Sequence, residues 1–151
     1  GLLTGMRVAE GARLVGDLKA RLTLVAGHGT AIEAEAAAVP GMILSRIRRR
    51  VDELLEGLGV DPDRRAQEGA LLADKAGVDE EITRLRAHVA ASADLLALAE
   101  PVGRRLEFLI QEMNRETNTI GSKSASTVIS GRVVELKSEI ERIREQVANL
   151  E

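Results

Sequence analysis

Apolar residues near the C-terminus recur at alternating intervals of three and four, and this pattern constrains the fold more than any other feature. The positions are Val133, Leu136, Ile140, Ile143, Val147 and Leu150. Such spacing places them on one side of an α-helix as a seam that must pack against another helix. A second seam, with one polar member, comprises Val78, Ile82, Leu85, Val89, Ser92 and Leu96. We therefore predict an all-α antiparallel bundle of about five to six helices with long coiled-coil-like hairpins.

The composition limits what can fill the core and what the protein can bind. The chain has 151 residues and one aromatic, Phe108, so its core must consist of Leu, Ile, Val, Ala and Met. Charged residues make up 30% of the chain, and the net charge is -3. This balance argues against a surface that binds nucleic acid everywhere, although it permits a local basic patch. The absence of Cys excludes disulfides and thiolate metal sites.

Targeting signals and membrane-spanning segments are not evident. No apolar run approaches the roughly 18 residues that a membrane span needs. Residues 1–5 lack the basic start and the apolar stretch of a signal peptide. We expect a soluble cytoplasmic protein without a membrane partner. Because the chain does not begin with Met, it is consistent with a fragment.

Glycines and prolines divide the chain into two predicted regions. Residues 3–39 are predicted to form one helix, with a bend or break at residues 27–30, where His28 stands between two glycines as an exposed loop residue. Pro40 suits the first turn of a second helix, which would run to residue 58. Residues 1–58 would thus form a long helical hairpin.

The second region, residues 59–151, is predicted to be a C-terminal helical domain. The two glycines and the Asp-Pro pair of residues 57–62 mark the clearest break. Asp63 is a plausible N-cap for a helix over residues 64–75. Further helices are expected to begin near Asp79 and Pro101, and the last carries the uninterrupted seam.

A polar run at residues 111–124 is the richest candidate for a functional site. Asn, Thr, Ser and Gly propagate a helix poorly, so their concentration at a helix end indicates either a site or a demanding cap. Carboxylate and amide oxygens suit hard cations such as Mg²⁺ or Mn²⁺. The alternative is a helix C-terminus with Asn118 or Gly121 in the left-handed conformation. The candidate ligands are Gln111, Glu112, Asn114, Glu116 and Asn118.

Two further groups carry possible chemistry. Glu81 and His88 lie two turns apart on one predicted helix, about 10 Å along its axis, so a shared metal ion would need ligands from a second helix. The alternative there is a solvated ion-pair face.

Arginines at residues 46 and 48–50 form a basic face that could bind phosphates, and Arg64, Arg65, Arg104 and Arg105 could extend it. The alternative is that these arginines pair with Asp52, Glu53 and Glu56.

Several segments together resemble the YicC/YloC family of bacterial endoribonucleases, also labelled stress-induced proteins. They are AQEGALLADK at residues 66–75, DEEITRLRAH at 79–88, PVGRRLEFLIQEMNRETNTIGSKS at 101–124, VELK at 134–137 and IREQVANLE at 143–151. RVAEGARL at residues 7–14 is similar to the family's central helix. The resemblance implies an N-terminal α/β domain that would precede Gly1 and is absent from this chain. It also implies cleavage of RNA that depends on a divalent metal, typically Mn²⁺, by a homo-oligomeric ring, a hexamer.

With this resemblance, we assign roles to individual residues as hypotheses. The metal ligands are Glu81, His88, Glu112 and Glu116, and the catalytic residues are Glu112, Glu116 and His88. The RNA-binding residues are Arg84, Arg104, Arg105, Arg115, Lys123, Asn114 and Asn118. Two alternatives remain open: a non-catalytic oligomerisation or scaffold module, and an adaptor that binds RNA for another nuclease.

Overall fold

The described part of the protein is an all-α bundle. The computed structural model describes residues 2–56, 77–124 and 126–150. Within them, four helices form and no strand is present: α1 Leu2–Leu54, α2 Asp79–Leu96, α3 Gly103–Lys123 and α4 Thr127–Ala148. The predicted helix over residues 64–75, its Asp63 cap and the division at 58/59 fall in residues 57–76, outside the described residues.

Helix α1 corrects the predicted hairpin in residues 1–58. It runs without interruption from Leu2 to Leu54, so the break at residues 27–30 and the new helix at Pro40 are both wrong. The glycines are tolerated because the flanking turns bury Leu18, Leu22, Val25 and Ile32 in the core. Proline removes one backbone hydrogen bond, and here the helix continues past that loss, from the Ala-rich turns of residues 31–38 through residues 41–54.

The four helices pack in a closed ring with alternating directions. Helix α1 packs against α2 and α4, and α3 packs against the same two helices. Ion pairs between neighbouring helices show how the helices run relative to one another. Between α2 and α3, Arg84 pairs with Glu116 and Glu81 pairs with Lys123. On the opposite side, Arg21 reaches Glu139 while His28 lies near Glu135 between α1 and α4. Helix α2 is therefore antiparallel to α3, and α1 to α4. Helices α3 and α4 pack side by side with only residues 124–126 between them, so they too are antiparallel, and the directions alternate around the ring.

The core is aliphatic, which confirms the compositional prediction. Its buried apolar residues are Leu, Ile, Val and one methionine, Met113, whereas Phe108 is 61% exposed. Both predicted seams face inward, with Val89 and Leu150 only partly buried. Ser92 is tolerated in the α2 seam because its hydroxyl donates to the carbonyl of His88 at 2.8 Å.

Helix α3 supplies a third seam, in which Thr117 is the polar member. Its buried positions are Leu106, Ile110, Met113, Thr117 and Ile120. Thr117 fits because its hydroxyl donates to the carbonyl of Met113 at 2.8 Å. The predicted left-handed cap at Asn118 or Gly121 is wrong, since α3 continues to Lys123 and ends at an extended Ser124. The polar run at residues 111–123 is therefore helix.

Candidate metal centre

Three of the four predicted metal ligands meet in the outer groove between α2 and α3. His88 on α2 and Glu112 and Glu116 on α3 each offer one ligand atom, and these atoms all lie within 4.8 Å of one another. Glu116 is buried, whereas His88 and Glu112 are partly buried. On one ion with bonds of about 2.1 Å, donors on opposite sides lie about 4.2 Å apart. Small side-chain rotations would therefore bring all three donors onto a single cation.

Helix geometry and core packing together place these side chains. Glu112 and Glu116 are four residues apart, so they project from neighbouring turns of the same side of α3. On the inner side of that helix, Ile110 and Met113 are almost completely buried and fix its rotation. The antiparallel contact with α2 then sets His88 opposite the two carboxylates.

A ring nitrogen of His88 makes the cluster chemically suited to a cation. Its Nε2 is buried and has no hydrogen-bond partner among the described residues. Buried polar atoms are normally paired, and an imidazole nitrogen left without a partner is a ready ligand atom. One imidazole and two carboxylates form a mixed nitrogen and oxygen donor set that accepts a divalent transition metal.

Glu81, the fourth predicted ligand, lies in an adjoining network of ion pairs rather than in this cluster. Its Oε1 accepts from Lys123 Nζ at 2.7 Å and lies 3.6 Å from Arg84 Nη2. Arg84 in turn donates from Nε to Glu116 Oε1 at 2.8 Å. The guanidinium therefore links Glu81 to the cluster, and Lys123 holds Glu81 from the other side.

The pKa directions agree with this network. Burial alone would raise the pKa of the Glu81 carboxyl, but the hydrogen bond from Lys123, together with a backbone hydrogen bond and the charges of Lys123 and Arg84, lowers it below the ordinary 4.5. The hydrogen bond to Glu116 is the largest cause that raises the pKa of Arg84 above its usual value. Glu81 is thus a carboxylate and Arg84 a cation at neutral pH.

The other predicted RNA-binding residues are spread along α3. Arg115 is exposed, with Nη1 3.9 Å from Glu112 Oε2, so it stands at the edge of the cluster. Asn114 is half-buried and Asn118 is exposed. Arg104 and Arg105 are exposed two to three turns away, near the start of the helix, and Arg105 Nη1 lies 3.5 Å from Glu100 Oε1.

Two features of the structure escaped the sequence analysis. Arg84 and Lys123 were predicted to hold phosphates, yet in this structure carboxylates engage both of them. No local pattern signals the Lys123–Glu81 pair, because the two residues are 42 positions apart.

His28 was expected in an exposed loop, which is wrong. It lies within α1 and is partly buried, with Nδ1 3.7 Å from Glu135 Oε2.

The sequence model of the family described as endoribonuclease YicC-like, C-terminal, matches residues 32–151. This match covers most of the chain, including all three members of the cluster. The chain belongs to this family. The matched region begins inside α1 and contains the whole of α2, α3 and α4, so the YicC-like domain supplies both sides of the groove.

Two relatives extend the similarity across nearly the entire chain. A protein from Clostridioides difficile is 43% identical over 150 residues, which is 99% of this chain and 51% of the relative. One from Haemophilus influenzae is 39% identical over 146 residues, 97% of this chain and 50% of the relative. Both carry the name probable endoribonuclease YicC. The chain therefore spans about half the length of the curated relatives it matches.

None of the helices in the described ranges carries an apolar stretch long enough for a bilayer crossing.

Proposed function

We propose that this YicC-like chain supplies the metal centre of an endoribonuclease that hydrolyses phosphodiester bonds in RNA. The observation that carries the proposal is the meeting of His88, Glu112 and Glu116 within 4.8 Å in one groove. The relatives' name supports RNA as the substrate. A divalent ion held there would polarise a phosphate oxygen and lower the pKa of a bound water.

The surrounding residues have distinct roles in this proposal. His88, Glu112 and Glu116 hold the ion. Arg84 fixes Glu116 by bonding one of its carboxylate oxygens, which leaves the other to face the ion. Arg115, exposed beside Glu112, is placed to contact a phosphate and offset its charge. Glu81 and Lys123 act indirectly, by holding Arg84.

The donor set favours Mn²⁺ over Mg²⁺. Mg²⁺ prefers oxygen ligands and keeps much of its hydration shell, whereas Mn²⁺ accepts an imidazole more readily. We accordingly expect the chain to bind Mn²⁺ more tightly than Mg²⁺. His88→Ala should reduce this difference, because it leaves only carboxylate ligands.

A cleavage assay tests the proposal directly. The chain is incubated with an end-labelled single-stranded RNA in Mn²⁺ or in EDTA, and Mn²⁺ binding is followed in parallel by the electron paramagnetic resonance of the free ion. We expect cleavage only with Mn²⁺, and Glu112→Gln should abolish cleavage and weaken Mn²⁺ binding. Glu107→Gln is the matched control, since Glu107 is an exposed carboxylate on the same helix outside the cluster.

The other outcomes would overturn the proposal in recognisable ways. Cleavage that persists in Glu112→Gln would place the chemistry elsewhere. RNA binding without cleavage in any metal would favour the adaptor. Neither binding nor cleavage, with a stable oligomer in light scattering, would favour the scaffold.

A further inference from the structure

The groove that holds the candidate metal centre continues toward the end of the bundle where α2 ends and α3 begins. On the α2 side, His88 is followed at helical intervals by Ala91, Leu95 and Leu98, which line a cavity of about 630 Å³. Its α3 side comprises Arg104, Arg105, Phe108 and Leu109. This volume lies within the range of pockets that hold a small ligand.

Phe108 is the unusual member of this groove. It is the only aromatic residue in the chain, and it is 61% exposed beside Leu98, which is 46% exposed. Aromatic side chains normally contribute large buried surfaces to a core. Here the core is complete without one, so the ring is available on the surface.

Two arginines stand beside the ring. Both Arg104 and Arg105 are exposed. Arg105 has Glu100 within 3.5 Å, whereas no ion pair joins Arg104 to any residue in the described ranges. Asp94 is the acidic residue of the lining, on the α2 side. An aromatic face next to a guanidinium can take a nucleobase and its phosphate together.

The register of α3 connects this groove to the metal cluster. Arg104, Phe108, Glu112 and Glu116 follow one another at intervals of four residues, so they form one stripe on the helix surface. Each interval advances about 6 Å along the axis. The aromatic ring therefore lies one turn from Glu112, and Arg104 lies two turns away.

The geometry points to a nucleotide-binding subsite in which Phe108 stacks on one base of a single RNA strand and Arg104 contacts its phosphate. This inference rests on the proposed function, which supplies RNA as the substrate. It adds the path of the RNA strand, which runs along α3 from the metal cluster toward Gly103. A single strand is required, because a base paired within a helix cannot present its face to the ring.

The absence of other aromatic residues allows a direct test. The chain has no Trp or Tyr, so Phe108→Trp introduces the only indole, whose fluorescence reports stacking. The probes are a ten-nucleotide oligoadenylate and an abasic oligonucleotide of the same length, both in EDTA to prevent cleavage. We expect quenching by oligoadenylate and little change with the abasic strand. Leu24→Trp, at an exposed position of α1 outside the lining of this groove, should not respond.

Affinity measurements complete the test. Phe108→Ala should weaken oligoadenylate binding about tenfold, since stacking on an aromatic ring contributes about 1–3 kcal/mol per base. Leu24→Ala should leave the affinity unchanged. Arg104→Gln should lower the slope of log affinity against log salt by about 0.7, the value for one phosphate contact on a single strand.

The outcomes separate this subsite from the metal centre. Equal quenching by both probes, or unchanged affinity in Phe108→Ala, would overturn the subsite. A change in oligomeric state caused by Phe108→Ala, without an effect on RNA, would assign the groove to a protein contact and overturn it as well. If Glu112→Gln fails to lose Mn²⁺ while oligoadenylate still quenches the indole, the metal centre is wrong and the subsite is retained.

Discussion

Two buried carboxylates on opposite sides of the bundle differ in how their oxygens are used. Glu139 on α4 is 8% exposed, with Oε2 bonded by Arg21 at 3.1 Å and Oε1 by Arg142 at 2.9 Å. Glu116 on α3 is 5% exposed, and the bond from Arg84 uses Oε1. Both are acidic groups held by arginine at a helix interface, yet only Glu116 keeps an oxygen available.

This difference shows what separates a structural ion pair from a candidate site. Glu139 belongs to no cluster of three potential ligands among the described residues, whereas Glu116 lies beside a second carboxylate and the imidazole of His88. Burial and an arginine partner are common to both positions. Spare ligand atoms that converge from two helices are found only at the α2–α3 groove within the described part of the chain.

The largest effect should come from removing Glu116 itself. Loss of a residue that supports a metal ligand typically lowers metal affinity about 10- to 100-fold. Glu116→Gln should lower Mn²⁺ affinity by more than this, because an amide replaces a charged ligand. The free-ion resonance of Mn²⁺ measures this loss.

Glu139→Gln makes the matched change on the opposite side of the bundle. It should leave Mn²⁺ affinity unchanged while lowering the free energy of unfolding by about 1.5–3 kcal/mol, the range for a hydrogen bond to a charged group. Urea denaturation measures the second quantity. Equal loss of Mn²⁺ binding in both variants would show that the cluster is no different from a structural ion pair.

A smaller effect should follow from removing the arginine that positions Glu116. The network beyond the cluster is close to neutral, since Glu80 and Glu81 balance Arg84 and Lys123. Removal of Arg84 leaves this network with a net negative charge, which by itself favours a cation, but we expect the lost orientation of the Glu116 carboxylate to cost more. Arg84→Ala is expected to lower Mn²⁺ affinity about 10- to 100-fold.

Arg21→Ala is the corresponding change at Glu139 and should not affect Mn²⁺ binding. If Arg84→Ala left Mn²⁺ affinity intact and raised only the KM for RNA, Arg84 would hold phosphate, as the sequence analysis proposed, rather than position Glu116.

The last effect concerns the pH dependence of stability rather than Mn²⁺ binding. The folded-state pKa of Glu81 lies below 4.5, so its carboxylate stabilises the fold above pH 4.5 and that contribution is lost as pH falls through the folded-state pKa. Glu81→Gln should lower the free energy of unfolding at pH 7 by about 1.5–3 kcal/mol, the range for a hydrogen bond to a charged group.

The difference between Glu81→Gln and the parent chain should shrink as the pH drops from 4.5 toward 3, as measured by urea denaturation across this range. Glu141→Gln, which removes an exposed carboxylate partner of Arg144, should show a weaker trend in the same direction. A constant difference for Glu81→Gln at all pH values would show that packing, not charge, explains its effect.

The apolar periodicity correctly predicted the helices that bury a continuous seam. The prediction failed in α1, where glycines and a proline were taken as helix ends although the helix continues through them. The seams of α2 and α4 lie inward because three-and-four spacing has only one way to be buried against neighbouring helices. Gly27 and Gly29 each lower helix propensity, yet α1 passes through them because burial of Val25 and Ile32 outweighs a cost of about 1 kcal/mol per glycine. Propensity is local, whereas the packing that overrides it is not.

The candidate site shows the same contrast between what local sequence intervals predict and what tertiary packing decides. The sequence by itself determined an aliphatic helical bundle and the pairing of Glu112 with Glu116, because both follow from intervals along one chain. Only the tertiary structure decided that His88 joins those carboxylates, that Glu81 instead binds Lys123, and that Phe108 stays on the surface. Each of these depends on the rotation and axial offset of α2 against α3, which many distributed core contacts set and no short interval encodes.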